Sequence, residues 1–175
     1  MKIGWFVISW SYAIEVILAA LVYIVLAYLC GVGMLSEFVK ETGSAWANMT
    51  GVLFAASLTI WVAFINITTT DFGGYLRFKG VYGLYSTAFV FAMFTFFLVT
   101  GLLITATASW MHIAVRNATL GILIFSAINV VTLVRNATGL VRAHAVFREE
   151  AAKVQNERSD SAHGKITKKS RASRD

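Results

Sequence analysis

The stretch NATLGILIFSAINVVTLV, residues 117–134, contains no charged residue and lies between Arg116 and Arg135. The same five residues, VRNAT, begin at Val115 and again at Val134. The 19 positions that separate the two arginines span roughly 28 Å of helix, close to the thickness of the hydrocarbon core of a bilayer. A cationic side chain at each end can reach the lipid headgroups. We therefore interpret the repeat as the two interface anchors of one transmembrane helix.

The composition of the whole chain fits the same class of protein. Of its 175 residues, 58% are hydrophobic and 14% are charged, whereas about a quarter of the residues of a soluble domain are charged. Runs of roughly 20 apolar residues are long enough to cross a bilayer as helices. The sequence therefore predicts an all-α integral membrane protein. Its four-helix transmembrane domain covers residues 1–134, with spans at about 14–34, 47–69, 81–108 and 117–134.

The basic residues are distributed unevenly, and they predict the orientation of the four spans. With four spans, both termini and the loop between the second and third spans face the same side. That side holds thirteen of the fifteen basic residues, ten of them from Arg135 onward, whereas the other side holds only Lys40 and Arg116. Basic residues concentrate in cytoplasmic segments. We therefore expect the protein to lie in a bacterial inner membrane with both termini on the cytoplasmic side.

A seven-residue repeat continues from the fourth span into residues 135–158, which are expected to form a cytoplasmic helical extension. Mixed charge on the other faces of this helix is typical of a solvated surface. The residues of the repeat, which we call the seam, are Leu133, Ala137, Leu140, His144, Phe147, Ala151 and Val154. Either the seam packs on another helix of the same chain, or it packs on copies of itself and makes the protein a homo-oligomer.

The last segment, residues 159–175, is polar and is predicted to be a disordered basic tail. Its basic residues are Lys165, Lys168, Lys169, Arg171 and Arg174. A basic residue near an anionic leaflet contributes roughly 1 kcal/mol of attraction. We expect the tail to bind anionic membrane lipids or a soluble cytoplasmic partner protein, and we expect no nucleic acid partner.

Polar residues in or beside the predicted spans are candidate functional residues, because burying them in a bilayer is costly. Glu15 is the only carboxylate inside a predicted span. The sequence leaves three roles open for it. It forms an ion pair with Arg135, Arg77 or Lys79, it lies at the level of the headgroups, or it takes part in ion or proton movement. Asp71 follows the second span and is expected to cap or pair locally. Arg135 is a polar candidate as well as an interface anchor.

The sequence contains no motif typical of catalysis or of metal binding. The three histidines, His112, His144 and His163, lie outside the predicted bilayer core, so they are not placed to ligate a haem between membrane helices. Cys30 is the only cysteine, which excludes a cysteine-based metal cluster. No phosphate-binding glycine loop or nucleophile elbow is found. We therefore expect no enzyme activity, no metal and no cofactor.

Two resemblances bear on function. The stretch YAIEVILAAL, residues 12–21, places a glutamate early in the first of four helices, and in this it resembles the small multidrug resistance transporters. That resemblance implies that Glu15 exchanges protons for cations. By its architecture the chain is similar to small membrane subunits of bacterial defence pairs, which implies self-association and a cytosolic partner.

The sequence thus predicts a non-enzymatic, self-associating inner-membrane anchor, sensor or assembly subunit that presents its extension and tail to a soluble partner. The first alternative is a small ion channel or proton-coupled transporter that uses Glu15. The second alternative is an effector that permeabilises the membrane after a trigger.

Overall fold

The computed structural model describes the backbone of residues 2–172 and the side chains of residues 13–156. The regular structure in that part of the chain is helical throughout. Its helices are α1 Lys2–Cys30, α2 Val32–Thr68, α3 Asp71–Phe78, α4 Tyr82–Ala106 and α5 Ile113–Ala172. All except α3 contain a stretch long and apolar enough to cross a membrane. The predictions of an all-α protein and of four membrane-length helices are therefore confirmed for the described residues.

The first helix ends earlier than the sequence predicts. The predicted span runs on to Met34, but α1 stops at Cys30, and α2 begins at Val32. Gly31 lies between them with a φ of 81°, a conformation that glycine adopts readily and other residues avoid. The apolar run continues through this break without a charge or proline to mark it. The end of the first helix is therefore corrected from residue 34 to residue 30.

The helices α2 and α4 form a closely packed antiparallel pair. The hydroxyl of Thr100 donates a hydrogen bond of 2.8 Å to the hydroxyl of Thr50. On one side of this contact, a Cβ added to Gly43 would lie 3.2 Å from the carbonyl oxygen of Leu103. On the other side, the ring centroids of Phe64 and Phe89 are 5.4 Å apart. Small residues at such contacts let two membrane helices approach closely.

The α5 helix completes the core of the bundle. The core cluster contains Leu35, Val39 and Ala47 from α2, Val99, Leu103 and Ala106 from α4, and Leu120 and Leu123 from α5. Side chains of α1 pack against this cluster only partly buried, and they include Tyr23, Leu26 and Ala27. Only 11% of the apolar window of α1 is buried. Most residues of this window are therefore not buried by the rest of the protein.

The segment between α2 and α4 is the short helix α3, which the sequence analysis did not predict. Its buried residues are Phe72, Gly73 and Leu76. Gly73 lies against the end of α2, where an added Cβ would stand 1.7 Å from the carbonyl oxygen of Thr68. No side chain fits at that distance. The turn from α2 into α3 therefore requires glycine at position 73.

The chain divides into two compact units, residues 1–137 and 138–175. The α5 helix begins in the first unit and continues to Ala172. The described backbone has no helix end at position 159, where the sequence predicts that the helix gives way to a disordered tail. The side chains of the tail lie outside the described residues, so its disorder and its contacts stay predictions.

Candidate functional site

The buried polar site of the first unit is centred on Glu15. This residue is 6% exposed and is the only charged residue in the apolar window Ala13–Cys30 of α1. The hydroxyl of Thr132 in α5 donates a hydrogen bond to its Oε1 atom. Its Oε2 atom is buried and has no hydrogen-bond partner among the described residues. Because an unpaired buried carboxylate oxygen is costly, the contact between α1 and α5 contains a polar group that is only partly satisfied.

A second unsatisfied polar group lies on the same face of α5. Asn129 precedes Thr132 by three positions, a spacing that places the two side chains next to each other on a helix. Asn129 is 1% exposed, and its Nδ2 atom has no acceptor among the described residues. Ser126, one turn earlier, is also buried, but its hydroxyl donates to the carbonyl of Leu123 at 2.7 Å. The charge-free stretch thus carries a buried polar strip that ends at the Glu15 contact.

The polar candidates from the sequence are not brought together. In the described part of the chain, Glu15 has Thr132 as its hydrogen-bond partner. Among the described residues it forms no ion pair with a basic residue, which is one of the alternatives that the sequence leaves open. Arg135 is exposed, and the side chains of Arg77 and Lys79 lie over aromatic rings. Asp71 is exposed in the first turn of α3, where the helix dipole favours a carboxylate.

An apolar groove of about 750 Å³ lies between α1 and α5. Small residues such as Ala20, Ala118 and Gly121 line it and leave the space open. Near one end, Nδ2 of Asn117 donates to the carbonyl of Val32 at 3.2 Å. Near the other end the lining reaches Val16, the neighbour of Glu15 in the chain. The contact between Glu15 and Thr132 is a polar link between α1 and α5.

The two copies of VRNAT lie in different surroundings. Arg116 is 6% exposed; its Nε atom donates to the carbonyl of Ala106 at 3.0 Å, and its Nη2 atom donates to the carbonyl of Ala108 at 2.7 Å. These carbonyls lie at the end of α4, where a helix leaves acceptors without partners. Arg135, in contrast, is exposed. Arg116 therefore caps α4 from within the protein, and the placement of the two arginines at the membrane interfaces stays a prediction.

Burial decreases along the seam. Leu133 and Leu140 are buried, Ala137, His144 and Phe147 are half-buried, and Ala151 and Val154 are exposed. The exposed residues belong to the second unit, residues 138–175. The far end of the seam thus presents apolar side chains to its surroundings.

The described residues define a helical protein with four helices that could span a membrane, and its candidate site is a buried carboxylate between the first and the last of them. Comparison of the chain with protein-family models, with curated proteins and with solved structures finds no match. The function must therefore be argued from the arrangement of the residues themselves.

Proposed function

We propose that the protein is a self-associating membrane anchor, which serves as a sensor or assembly subunit of a bacterial inner membrane. In this proposal the last helix presents a cytoplasmic extension and a basic tail to a soluble partner. The observation that carries it is the continuity of α5, a single helix of 60 residues from Ile113 to Ala172. Its first part contains a stretch apolar enough to span the membrane, and its later part is rich in charged residues. A helix of this kind can carry a docking surface outside the bilayer.

Self-association is supported by the exposed end of the seam. Ala151 and Val154 continue the seven-residue repeat, and Val154 is 50% exposed. An apolar seam along a solvated helix gains stability when it packs on a partner helix with the same repeat. A second copy of the chain supplies such a helix in the matching register. This makes the extension both the assembly element and the platform for a partner.

We predict that Val154→Asp weakens self-association, whereas Val146→Asp leaves it unchanged. Both residues are exposed valines on α5, but Val154 lies in the seam and Val146 does not. A carboxylate in an apolar seam loses its hydration when the helices pack, which disfavours the assembly. The molar mass of the detergent-solubilised protein, measured by light scattering, should fall toward that of one chain for Val154→Asp only.

A third variant separates assembly from partner binding. A chain that ends at Arg158 keeps the seam and loses the basic tail, so we expect it to assemble normally and to lose proteins that co-purify with the full chain. Equal behaviour of the two valine variants, whether both assemble or neither does, would contradict a seam-based oligomer. A truncated chain that retains its co-purifying proteins would contradict the role of the tail.

The second candidate function is ion movement that depends on Glu15, as in a small channel or a proton-coupled transporter. It is supported by the Oε2 atom of Glu15, which is buried and has no hydrogen-bond partner among the described residues. A carboxylate buried in a membrane helix is costly without a cation or a proton. The buried polar strip formed by Ser126, Asn129 and Thr132 adjoins this group on α5. If α1 and α5 separate, this group becomes accessible to water and can exchange a proton or an ion.

If this second function holds, Glu15→Gln abolishes ion flux into liposomes that contain the purified protein, because glutamine keeps the shape of the side chain and loses its charge. Proton flux and sodium flux are measured separately with fluorescent indicators. Glu37→Gln is the matched control, because Glu37 is an exposed carboxylate on α2. Tight liposomes for the unchanged protein, or flux that survives Glu15→Gln, would remove the candidate.

A further inference from the structure

The end of α3 carries an exposed aromatic side chain between two exposed basic residues. Phe78 is 86% exposed. The guanidinium carbon of Arg77 lies 5.0 Å from the ring centroid of Tyr82, and Nζ of Lys79 lies 5.4 Å from the ring centroid of Tyr75. Such cation–π contacts restrict the positions of the charged groups. The two residues next to Phe78 in the chain thus each hold a positive charge over an aromatic ring.

The backbone beneath these side chains is fixed as well. The N–H of Val81 donates to the carbonyl of Leu76 at 3.1 Å, and the N–H of Gly80 donates to the carbonyl of Arg77 at 3.0 Å. Gly80 has a φ of 71°. This is the Schellman motif that commonly ends a helix. The cluster of Arg77, Phe78 and Lys79 is thus held by a regular helix end rather than by an irregular loop.

The connections of α3 place it at a membrane surface if α2 and α4 span the bilayer. Only Thr69 and Thr70 separate α3 from α2, and three residues separate it from α4. A segment joined so closely to the ends of two spans lies near the level of the headgroups. There an exposed aromatic ring can enter the boundary of the acyl chains while cations face the phosphates.

We infer that Arg77, Phe78 and Lys79 form a binding surface for anionic phospholipid headgroups. The phenyl ring enters the bilayer, and the two cations contact the phosphates of anionic headgroups. The positive charge of the surface favours anionic over zwitterionic lipid, and the exposed ring favours a lipid over a water-soluble acidic molecule. The inference rests on the proposed membrane insertion and is independent of the seam and the tail.

The position of α3 is tested by spin labels on the full-length protein with Cys30→Ser as background. A single cysteine replaces Phe78, Val131 or Lys153 in separate proteins and carries the spin label. Each protein is reconstituted into liposomes of phosphatidylcholine and phosphatidylglycerol. Collisions with oxygen and with a water-soluble nickel chelate report depth. Val131 is an exposed residue of the charge-free stretch and Lys153 an exposed residue of the extension. We expect position 78 to lie between these two references.

The two ways of failing are distinguishable. If position 131 is in the bilayer and position 78 is as wet as position 153, the lipid surface is refuted and membrane insertion stands. If position 131 is itself as wet as position 153, both the insertion and the lipid surface are refuted.

Lipid selectivity is tested with the double variant Arg77→Gln, Lys79→Gln. Spin-labelled phosphatidylglycerol and phosphatidylcholine are compared by the fraction that the protein immobilises. We expect the preference for the anionic lipid to fall several-fold in the double variant, and to stay unchanged in Lys40→Gln, which removes a cation already paired with Glu37. A preference that survives the double substitution overturns the inference. Since Arg77 and Lys79 are exposed, their loss leaves the buried packing intact.

Discussion

Arg116→Ala is expected to lower the free energy of unfolding by about 2–4 kcal/mol, whereas Arg135→Ala changes it by no more than about 0.5 kcal/mol. Arg116 is buried and supplies two hydrogen bonds to the carbonyls of Ala106 and Ala108. Alanine removes the guanidinium from both carbonyls; that of Ala106 loses this donor, and that of Ala108 keeps only the N–H of Met111. Arg135 is exposed and forms no such cap. Unfolding of the detergent-solubilised protein, followed by circular dichroism, measures both changes.

The two arginines are matched controls for each other, because each stands in the same five-residue sequence. Arg116→Lys is the conservative variant: a lysine keeps the charge but cannot place two N–H groups as a guanidinium does. We expect its stability to lie between those of the unchanged protein and Arg116→Ala. Equal losses for Arg116→Ala and Arg135→Ala would show that the two copies of the repeat have the same role, contrary to the structure.

Most of the fold could be predicted from hydropathy, because a bilayer-length run of apolar residues leaves the backbone no alternative but a helix. What hydropathy could not locate were changes of direction within apolar or neutral sequence. The break at Gly31 lies inside one continuous apolar run, and α3 occupies a segment where the sequence predicts a loop. The positive φ of Gly31 decides the structure in the first place, and the close contact of Gly73 with Thr68 decides it in the second. The sequence shows these glycines but does not show the constraints that require them.

The candidate site could be predicted only in part. Glu15 was identified from the sequence because a charge in an apolar run is rare and costly. Its partner Thr132 could not be, since the pairing depends on which faces of α1 and α5 meet, and the two residues are 117 positions apart in the chain. The sequence favours a basic residue as the partner of a buried carboxylate, because opposite charges attract. The packing of α1 and α5 places the hydroxyl of Thr132 beside Glu15 instead. Asn129 is recognisable in the sequence as a polar residue of the fourth span, and its spacing from Thr132 places the two on one face of the helix.

Gly73→Ala is expected to lower the free energy of unfolding by about 3 kcal/mol or more, because no movement of a flexible side chain can make room for the added carbon. That carbon would stand 1.7 Å from the carbonyl oxygen of Thr68. The turn must therefore open, which breaks the hydrogen bond of 2.9 Å from the N–H of Gly73 to the carbonyl of Thr70. Opening the turn also displaces Arg77 from Tyr82. The midpoint temperature of thermal unfolding and the preference for anionic lipid should therefore both decrease in this variant.

Gly74→Ala is the matched control one residue away. A Cβ at Gly74 meets no atom within 4 Å, and alanine in a helix is favoured over glycine by about 0.5–1 kcal/mol. We therefore expect the Gly74 variant to be slightly more stable than the unchanged protein and to keep its preference for anionic lipid. A Gly73 variant that unfolds like the Gly74 variant would show that α3 does not lie against the end of α2. A Gly73 variant with reduced stability and an intact lipid preference would show that lipid binding does not depend on the position of α3. The charges of Arg77 and Lys79 alone, without a fixed geometry, would then account for the preference.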